Sequence, residues 1–285
     1  MCPPTHFDVS YAINPWMDPT VAVDRSLALA QWGTLVQTYR SCGHRVDLLE
    51  PVPGLPDMVF AANGATVVDG RVLGARFANP ERVAEAQHHR DWHLQHPPDV
   101  RRAGLRQRRH RLPRAVNEAE GDFAVLSGRI LAGHGFRTTV AAHRELAALT
   151  RRPVVSLELV DPLFYHLDVA LTVLDDASDH IAYYPAAFSE QSRRLLAEMF
   201  PDALLATKAD AGVLGLNCVS DGLRVFIPSG AEELSGQLAA AGYQPIPIDL
   251  SELRKGGGSV KCCTQEIRPA QEPDRLAAES DRSYL

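Results

Sequence analysis

Apolar and polar positions along this chain fall into a grammar that recurs: an apolar run, a tight turn, a second apolar run, a helical stretch and a further apolar run. Asp69-Gly70, Ser127-Gly128 and Asp221-Gly222 mark three of the turns, each a dipeptide suited to a two-residue hairpin. Around the first, residues 65–68 and 71–75 read as paired strands, with a helix from Pro80. Around the second, 123–126 and 129–132 pair, then a helix over 138–149 leads to a strand over 153–159. The next unit has strands at 168–174 and 180–184, a helix over 189–200 and a strand over 203–207. The one after has strands at 218–220 and 223–227, a helix over 231–241 and a strand over 243–248. Ahead of all of them the pattern predicts a short strand at 7–9 and the proline-punctuated loop Ile13-Asn14-Pro15-Trp16-Met17. A helix over 21–42, stopped by Gly43, and a strand over 45–49 follow.

Counting the opening helix with a closing strand near Cys262, five units recur at a spacing of about 50 residues, a period that marks repeat architectures. The fold class is α/β. Units set around an axis would make their strand ends converge on one central site; the competing arrangement is a plain α/β sandwich. One stretch, 88–114, breaks the pattern. It carries His88, His89, His93, His96 and His110 with arginines from 101 to 111, and little periodicity after Pro97-Pro98. It reads as a solvated surface or mobile loop, which leaves its unit one strand short.

Composition narrows the partners. The 285 residues are 45% hydrophobic and 22% charged, with a formal net charge of −6, enough chain for one large core or two modest ones. A mildly acidic chain lacks the global positive field of a nucleic-acid binder, so a small-molecule partner is expected. No apolar run approaches the roughly 20 residues of a membrane span, and Met1 to His6 have no signal-peptide pattern. The expected setting is cytoplasmic. Cysteines at 2, 42, 218, 262 and 263 form neither a disulfide framework nor a Cys-x-x-Cys pattern, and no metal or cofactor is expected.

The stretch Lys255-Gly256-Gly257-Gly258-Ser259-Val260-Lys261-Cys262-Cys263-Thr264 is the strongest chemical candidate. Three glycines allow a close backbone approach to a ligand, and Lys255 and Lys261 are candidates to favour a thiolate. The alternative is that Cys262 and Cys263 are small apolar residues opening a C-terminal strand. Three polar clusters stand at the edges of other units. They are Asp57-Met58-Val59-Phe60-Ala61-Ala62-Asn63, Asn117-Glu118-Ala119-Glu120-Gly121-Asp122, and Tyr165-His166-Leu167-Asp168, the last expected to open a strand with His166 and Asp168 on one face. Together with Cys262 they supply a nucleophile, an acid/base and several carboxylates, the set that attack on a cationic carbon requires.

In that order these segments resemble the guanidino-group-modifying enzymes of the pentein superfamily, and the resemblance covers nearly the whole chain. It implies a five-bladed αβ-propeller of strand-strand-helix-strand units, a single catalytic domain over 1–268, and a disordered or loosely packed tail over 269–285. It implies that Asp57 holds a substrate guanidinium and Phe60 lines its pocket. Glu118 is similar to the family's catalytic acid, with Glu120 as the alternative because Ala119 replaces a glycine of the motif. His166 matches the catalytic histidine, Asp168 the substrate-binding acid of the same segment, and Cys262 the nucleophile. Arg82 and Arg137 match arginines that bind a substrate α-carboxylate. Asn63 departs from relatives that carry an acid, and its surroundings look like the arginine dihydrolase branch. The implied reaction is hydrolysis at the guanidino carbon of arginine or N-methylated arginine, through a covalent thiouronium-like intermediate. An arginine dihydrolase, an amidinotransferase and a non-catalytic binding protein of the same fold stay open, as does a homodimer.

Overall fold

Helix α1 (Arg25–Ser41) is followed by four three-stranded sheets that share one order and one polarity, in a computed structural model that describes residues 1–96 and 109–268. The first strand of each sheet pairs antiparallel with the second, and the second pairs parallel with the third. The first sheet contains β1 (Ala65–Val68), β2 (Arg71–Gly74) and β3 (Arg109–Arg111), with α2 (Glu85–Gln95) between β2 and β3 in the chain. The second contains β4 (Phe123–Val125), β5 (Ile130–His134) and, after α3 (Val140–Thr150), β6 (Val154–Glu158). The third has β7 (Leu171–Asp175), β8 (His180–Tyr183), α4 (Glu190–Met199) and the two-residue β9 (Leu204–Leu205). After the short α5 (Lys208–Ala211), the fourth has β10 (Val219–Ser220), β11 (Arg224–Pro228), α6 (Glu232–Ala240) and β12 (Gln244–Ile248). A last helical turn, α7 (Ser251–Arg254), leads into the glycine run.

The antiparallel step needs only a tight turn, whereas the parallel step needs a crossover long enough for a helix. Asp69 and Gly70 both adopt positive φ (49° and 71°), the geometry of a hairpin turn whose twist matches its strands. The middle strands are apolar and closed off on both faces: Ile130, Leu131 and Ala132 are fully buried, as are Val225 and Ile227. A shared core joins α1 to the sheets, with Leu35, Phe60, Leu126, Phe188 and Phe226 in one cluster.

Several expected elements differ. Residues 7–9 and 45–49 form no strand; 45–49 is held by Met1, whose amino group donates to the Asp47 carbonyl and whose carbonyl accepts from Leu49 N–H, and by Trp92 Nε1, which donates to the Leu48 carbonyl. Helix α1 starts four residues later than expected, because the Asp24 side chain accepts from Leu27 N–H and caps it there. No strand forms near Cys262; that stretch is a chain of tight turns that meets the first sheet through the bridge between Val67 and Ile267 and through Gln265 Nε2, which donates to the Ala65 carbonyl. Stretch 88–114 is not one loop. Part of it belongs to α2, where His89 and His93 are buried, and part is β3, held by its backbone against β2. Residues 97–108 and 269–285 lie outside the described residues. Among the described residues, no helix is long and apolar enough to cross a membrane.

Candidate active site

Each sheet is entered through a tight turn, and these turns bring the polar clusters together. Turns at Ala61–Asn63, Ala119–Gly121 and Leu167–Val169 precede β1, β4 and β7, and before β10 the Asn217 N–H closes a turn on the Leu214 carbonyl. The residue at the head of each turn is Phe60, Glu118, His166 and Leu214 respectively. A turn at the same place in four units is therefore headed in turn by a ring, an acid, an imidazole and an aliphatic side chain. His166 and Asp168 consequently sit on a turn ahead of β7 and not on a strand face.

Glu118 is fully buried and heavily bonded. Arg137 Nη1 donates to both of its oxygens (3.0 and 2.9 Å), His166 Nε2 donates to Oε2 (2.9 Å), and Arg82 Nη1 stands 3.7 Å away. Burial alone would raise this carboxyl, but the His166 bond and the Arg137 charge outweigh it and hold Glu118 down at about 2. An ionised Glu118 accepts only, so Nε2 of His166 carries the proton, while Nδ1 has no partner. Glu120, two residues on, turns the other way and receives Lys261 Nζ at 2.6 Å.

Cys262 is joined to the turn that carries His166 through Asp168. Its Sγ donates to Asp168 Oδ2 (3.2 Å) and accepts from Asn217 Nδ2 (3.1 Å). Burial and the neighbouring Asp168 carboxylate push the thiol well above its ordinary value, and burial pushes Asp168 up to about 7. The turn Leu167–Val169 thus joins the two halves, with His166 reaching Glu118 and Asp168 reaching Cys262. The expected cations do not serve the thiol: Lys255 pairs with Glu252, and Lys261 with Glu120 and Glu266. The glycines serve protein packing. A Cβ on Gly258 would lie 2.5 Å from the Phe60 ring and 2.9 Å from the Cβ of Cys262, and one on Gly257 would meet Asn14 and the Tyr165 hydroxyl.

Asp57 lies on the turn Pro56–Val59, where Oδ2 accepts from the Tyr11 hydroxyl (2.9 Å) and Oδ1 has no partner; burial raises its pKa. Phe60 packs edge-on against Phe7, ring centroids 5.9 Å apart. Asn63 accepts from Arg82 Nη1 at 2.9 Å. Arg82 is heavily engaged: Nε and Nη2 fork onto Glu85 (3.0 and 2.9 Å), and Nη2 also donates to the Asp57 carbonyl. Four of its five N–H groups are thus held by Glu85, Asn63 and the Asp57 carbonyl, and the fifth, on Nη1, has only the 3.7 Å approach to Glu118. Arg137 also donates through Nη2 to the Ile13 carbonyl (2.8 Å) and stacks over Tyr165.

The loop 11–17 encloses these groups, with Asn14 Nδ2 donating to the Gly256 carbonyl (3.1 Å) and Trp16 Nε1 to the Leu163 carbonyl (2.8 Å). A hollow of about 720 Å³ beside Tyr39, Trp92 and Phe226, and one of about 260 Å³ beside Glu120 and Lys261, include none of Cys262, His166 and Glu118. Sequence reasoning missed Glu85 and Asn217, and named Asp122 in its cluster without giving it a role of its own. Asp122 Oδ1 accepts from Leu167 N–H and so fixes the His166 turn (3.0 Å). Asn217 had a signal: it lies three residues after Leu214, as Asn63 lies three after Phe60.

Repeated strand-strand-helix-strand units with a buried thiol, imidazole and carboxylates at the turns define the class of guanidino-group-modifying enzymes in the pentein superfamily. No family model matches the chain. It is 53% identical over 269 residues to the N(G),N(G)-dimethylarginine dimethylaminohydrolase of Mycobacterium tuberculosis, covering 94% of this chain and 85% of that protein. It is 34% identical to the bifunctional arginine dihydrolase/ornithine cyclodeaminase ArgZ of Synechocystis, and spans only 40% of that longer protein. The ArgZ N-terminal domain, solved covalently bound to a reaction intermediate, superposes with a TM-score of 0.88 at 31% identity, over 96% of this chain and 98% of that one. The Pseudomonas aeruginosa dimethylarginine dimethylaminohydrolase complexed with citrulline shares the fold, with a TM-score of 0.71 at 20% identity over 83% of this chain and 87% of that one. The chain belongs to the dimethylarginine dimethylaminohydrolase family.

Proposed function

We propose that the chain hydrolyses the guanidino group of N-methylated arginine, releasing a methylated amine and a ureido amino acid. The observation that carries this is a set of buried carboxylate oxygens without hydrogen-bond partners: Asp122 Oδ2 beside His166, Asp168 Oδ1 in the residue bonded to Cys262, and Asp57 Oδ1 in the residue beside Arg82. Unpaired buried acceptors are costly, and a planar guanidinium, which keeps N–H donors on its other nitrogens when one is methylated, is a group that satisfies several at once.

The steps follow from the atoms in place. A guanidinium that takes the Glu118 carboxylate displaces Arg137 Nη1, which is then free to bind the substrate's α-carboxylate. The Cys262 thiol gives its proton to Asp168 Oδ2, and the thiolate attacks the guanidinium carbon, whose positive charge makes it electrophilic. His166 protonates the departing amine, and the carbon remains bonded to Sγ. The same imidazole then takes one proton from water, whose oxygen attacks that carbon; the C–S bond breaks to release the ureido product, the second water proton leaves with the amine as an ammonium ion, and the thiolate recovers its proton from Asp168. We assign residues 1–268 to a single catalytic domain and its fold to a five-bladed propeller. Support comes from α1 packing on the fourth sheet, with Tyr39 and Phe226 centroids 4.6 Å apart, and from the Val67–Ile267 bridge onto the first.

A second reading, arginine dihydrolase, draws on the amide at Asn63 and on the ArgZ likeness. Incubation with asymmetric dimethylarginine and with arginine, followed by mass analysis, separates them. Dimethylamine with a ureido product supports the first; ornithine from arginine, with no turnover of the methylated substrate, would overturn it.

A further inference from the structure

Asn217 is completely buried in the last turn before β10, and its side-chain amide makes four hydrogen bonds around the nucleophilic loop. Oδ1 accepts from the backbone N–H of Ser259 (2.9 Å) and of Cys262 (3.1 Å). Nδ2 donates to the Asp168 carbonyl (3.1 Å) and to Cys262 Sγ (3.1 Å). Two backbone donors on one atom settle which end of the amide is oxygen, so the NH₂ end must face the sulfur. The backbone carbonyl of Asn217 accepts from Lys261 N–H (3.1 Å), so a third bond ties the same loop to the same residue.

These bonds divide into two tasks. The oxygen end holds backbone, and a residue that only held the loop would need nothing more. The nitrogen end touches the reacting atom. An N–H donated to sulfur strengthens when the sulfur becomes charged, because a hydrogen bond to an ionised acceptor is roughly twice as strong as one between neutral groups. The proton on Sγ points to Asp168, so Asn217 Nδ2 occupies a second direction and stays in place when that proton leaves.

We propose that Asn217 is a further catalytic residue of this site: its Oδ1 fixes the loop carrying Cys262, and its Nδ2 stabilises the thiolate formed when the Cys262 proton passes to Asp168. The inference rests on Cys262 as the nucleophile of the reaction proposed above. Titratable groups facing the sulfur are Asp168 and Tyr165, from the turn before β7, and Cys263 beside it in the chain. The Lys261 ammonium is held away by Glu120 and Glu266. None of them donates an N–H to the thiolate.

The test uses Asn217→Asp and Asn217→Ala, each in a Cys263→Ser background, and reads the pH profile of Cys262 alkylation by iodoacetamide through the mass of its peptide. Asp keeps the acceptor for the loop but sets an oxygen against the sulfur; Ala removes both ends. For Asn217→Asp the expected result is a folded protein whose alkylation midpoint rises by more than about one pH unit, so that alkylation near neutrality is about tenfold slower. Turnover, kcat, should fall with it while KM stays within about threefold, since the amide touches the sulfur and not the substrate. Asn217→Ala, if it folds, should also raise the midpoint. Alkylation profiles superimposed on the parent's, or loss of folding in both variants, would overturn the thiolate role and leave Asn217 a structural clamp. Rapid amide exchange at Ser259 and Cys262 in the unmutated protein would overturn the clamp as well. Alkylation needs no substrate, so failure of the parent protein to turn over dimethylarginine would count against the proposed reaction and leave this contrast intact.

Discussion

Glu118 and Glu120 are two residues apart on one turn, both buried, and they behave oppositely. Glu118 faces Arg137 and His166 and is held at about 2; Glu120 faces Lys261, and burial raises its pKa despite that partner. The difference lies in donors per oxygen. Glu118 receives three hydrogen bonds from two residues, with Arg82 close by, whereas Glu120 leaves Oε1 without one and has the like charge of Glu266 nearby. Both are fully buried, and the donors and charges around each decide which way its pKa moves. The molecule therefore has a front, where an ionised acid meets an imidazole, and a rear, where Lys261, Glu266 and Arg268 close an ion cluster.

The front and rear can be separated by mutation. The adjacent cysteines should give the largest contrast: Cys262→Ser is expected to lower kcat by at least about a thousandfold, and Cys263→Ser to leave most of it. Reversed outcomes in a steady-state assay would shift the nucleophile to the rear. Next, Glu118→Gln should reduce kcat by about 10² to 10⁴-fold. Glu120→Gln should act on stability instead, lowering it by about 3 kcal/mol in urea unfolding by breaking a buried pair with Lys261. Equal kinetic damage from both would erase the distinction.

Arg137→Ala tests whether the front reads a carboxylate. It should cost about 2 to 3 kcal/mol in kcat/KM for arginine-type substrates and much less for agmatine, which lacks the α-carboxylate. Equal losses on both, with unchanged melting temperature, would remove the clamp and leave the thiol chemistry standing.

The acids of the site also set a pH dependence. Glu118 is depressed, so its contribution to stability is present above the ordinary carboxylate range and is lost as pH falls from about 4 through 2. Asp122 at about 6 and Asp168 and Glu85 at about 7 are raised by burial, so theirs is present below about 4 and is lost as pH rises through 6 and 7. The melting temperature of the ligand-free protein should fall between pH 5 and 8, and a bound guanidinium should flatten that slope; a rising melting temperature would contradict the raised acids. The smallest effect is expected at Ala119, which holds a φ of 51°. Relief of left-handed strain and the added freedom of glycine nearly cancel, so Ala119→Gly should stay within about 1 kcal/mol of the parent in thermal unfolding.

The hairpins were legible because Asp69-Gly70, Ser127-Gly128 and Asp221-Gly222 carry their own turn chemistry, and the helices because they follow at fixed intervals. The strand at Arg109–Arg111 was not, since a short parallel strand paired through its backbone needs no apolar pattern. Leu167-Asp168-Val169 reads as a strand by alternation and is a turn, because Asp122 captures the Leu167 N–H from 45 residues away. Such long-range side-chain bonds also account for Asn217, whose partners Ser259 and Cys262 lie more than 40 residues on, whereas Glu85 stands only three residues from the Arg82 that it pairs with. Cys262, His166 and Glu118 were placed by the order of their motifs; that the lysines beside Cys262 belong to the rear cluster and to Glu252 emerged only in three dimensions.

The turn ahead of each sheet suggests how such a centre could diversify. Phe60, Glu118, His166 and Leu214 each head a turn before the first strand of a sheet in four successive units, so a duplicated segment would bring its own mounting point along with its strands. Chemistry could then be rewritten one codon at a time, with the scaffold untouched and each copy free to take a different trade. Leu214, the only one of the four without a polar or aromatic group, is where an evolving descendant, or a designer, has room to install a new one.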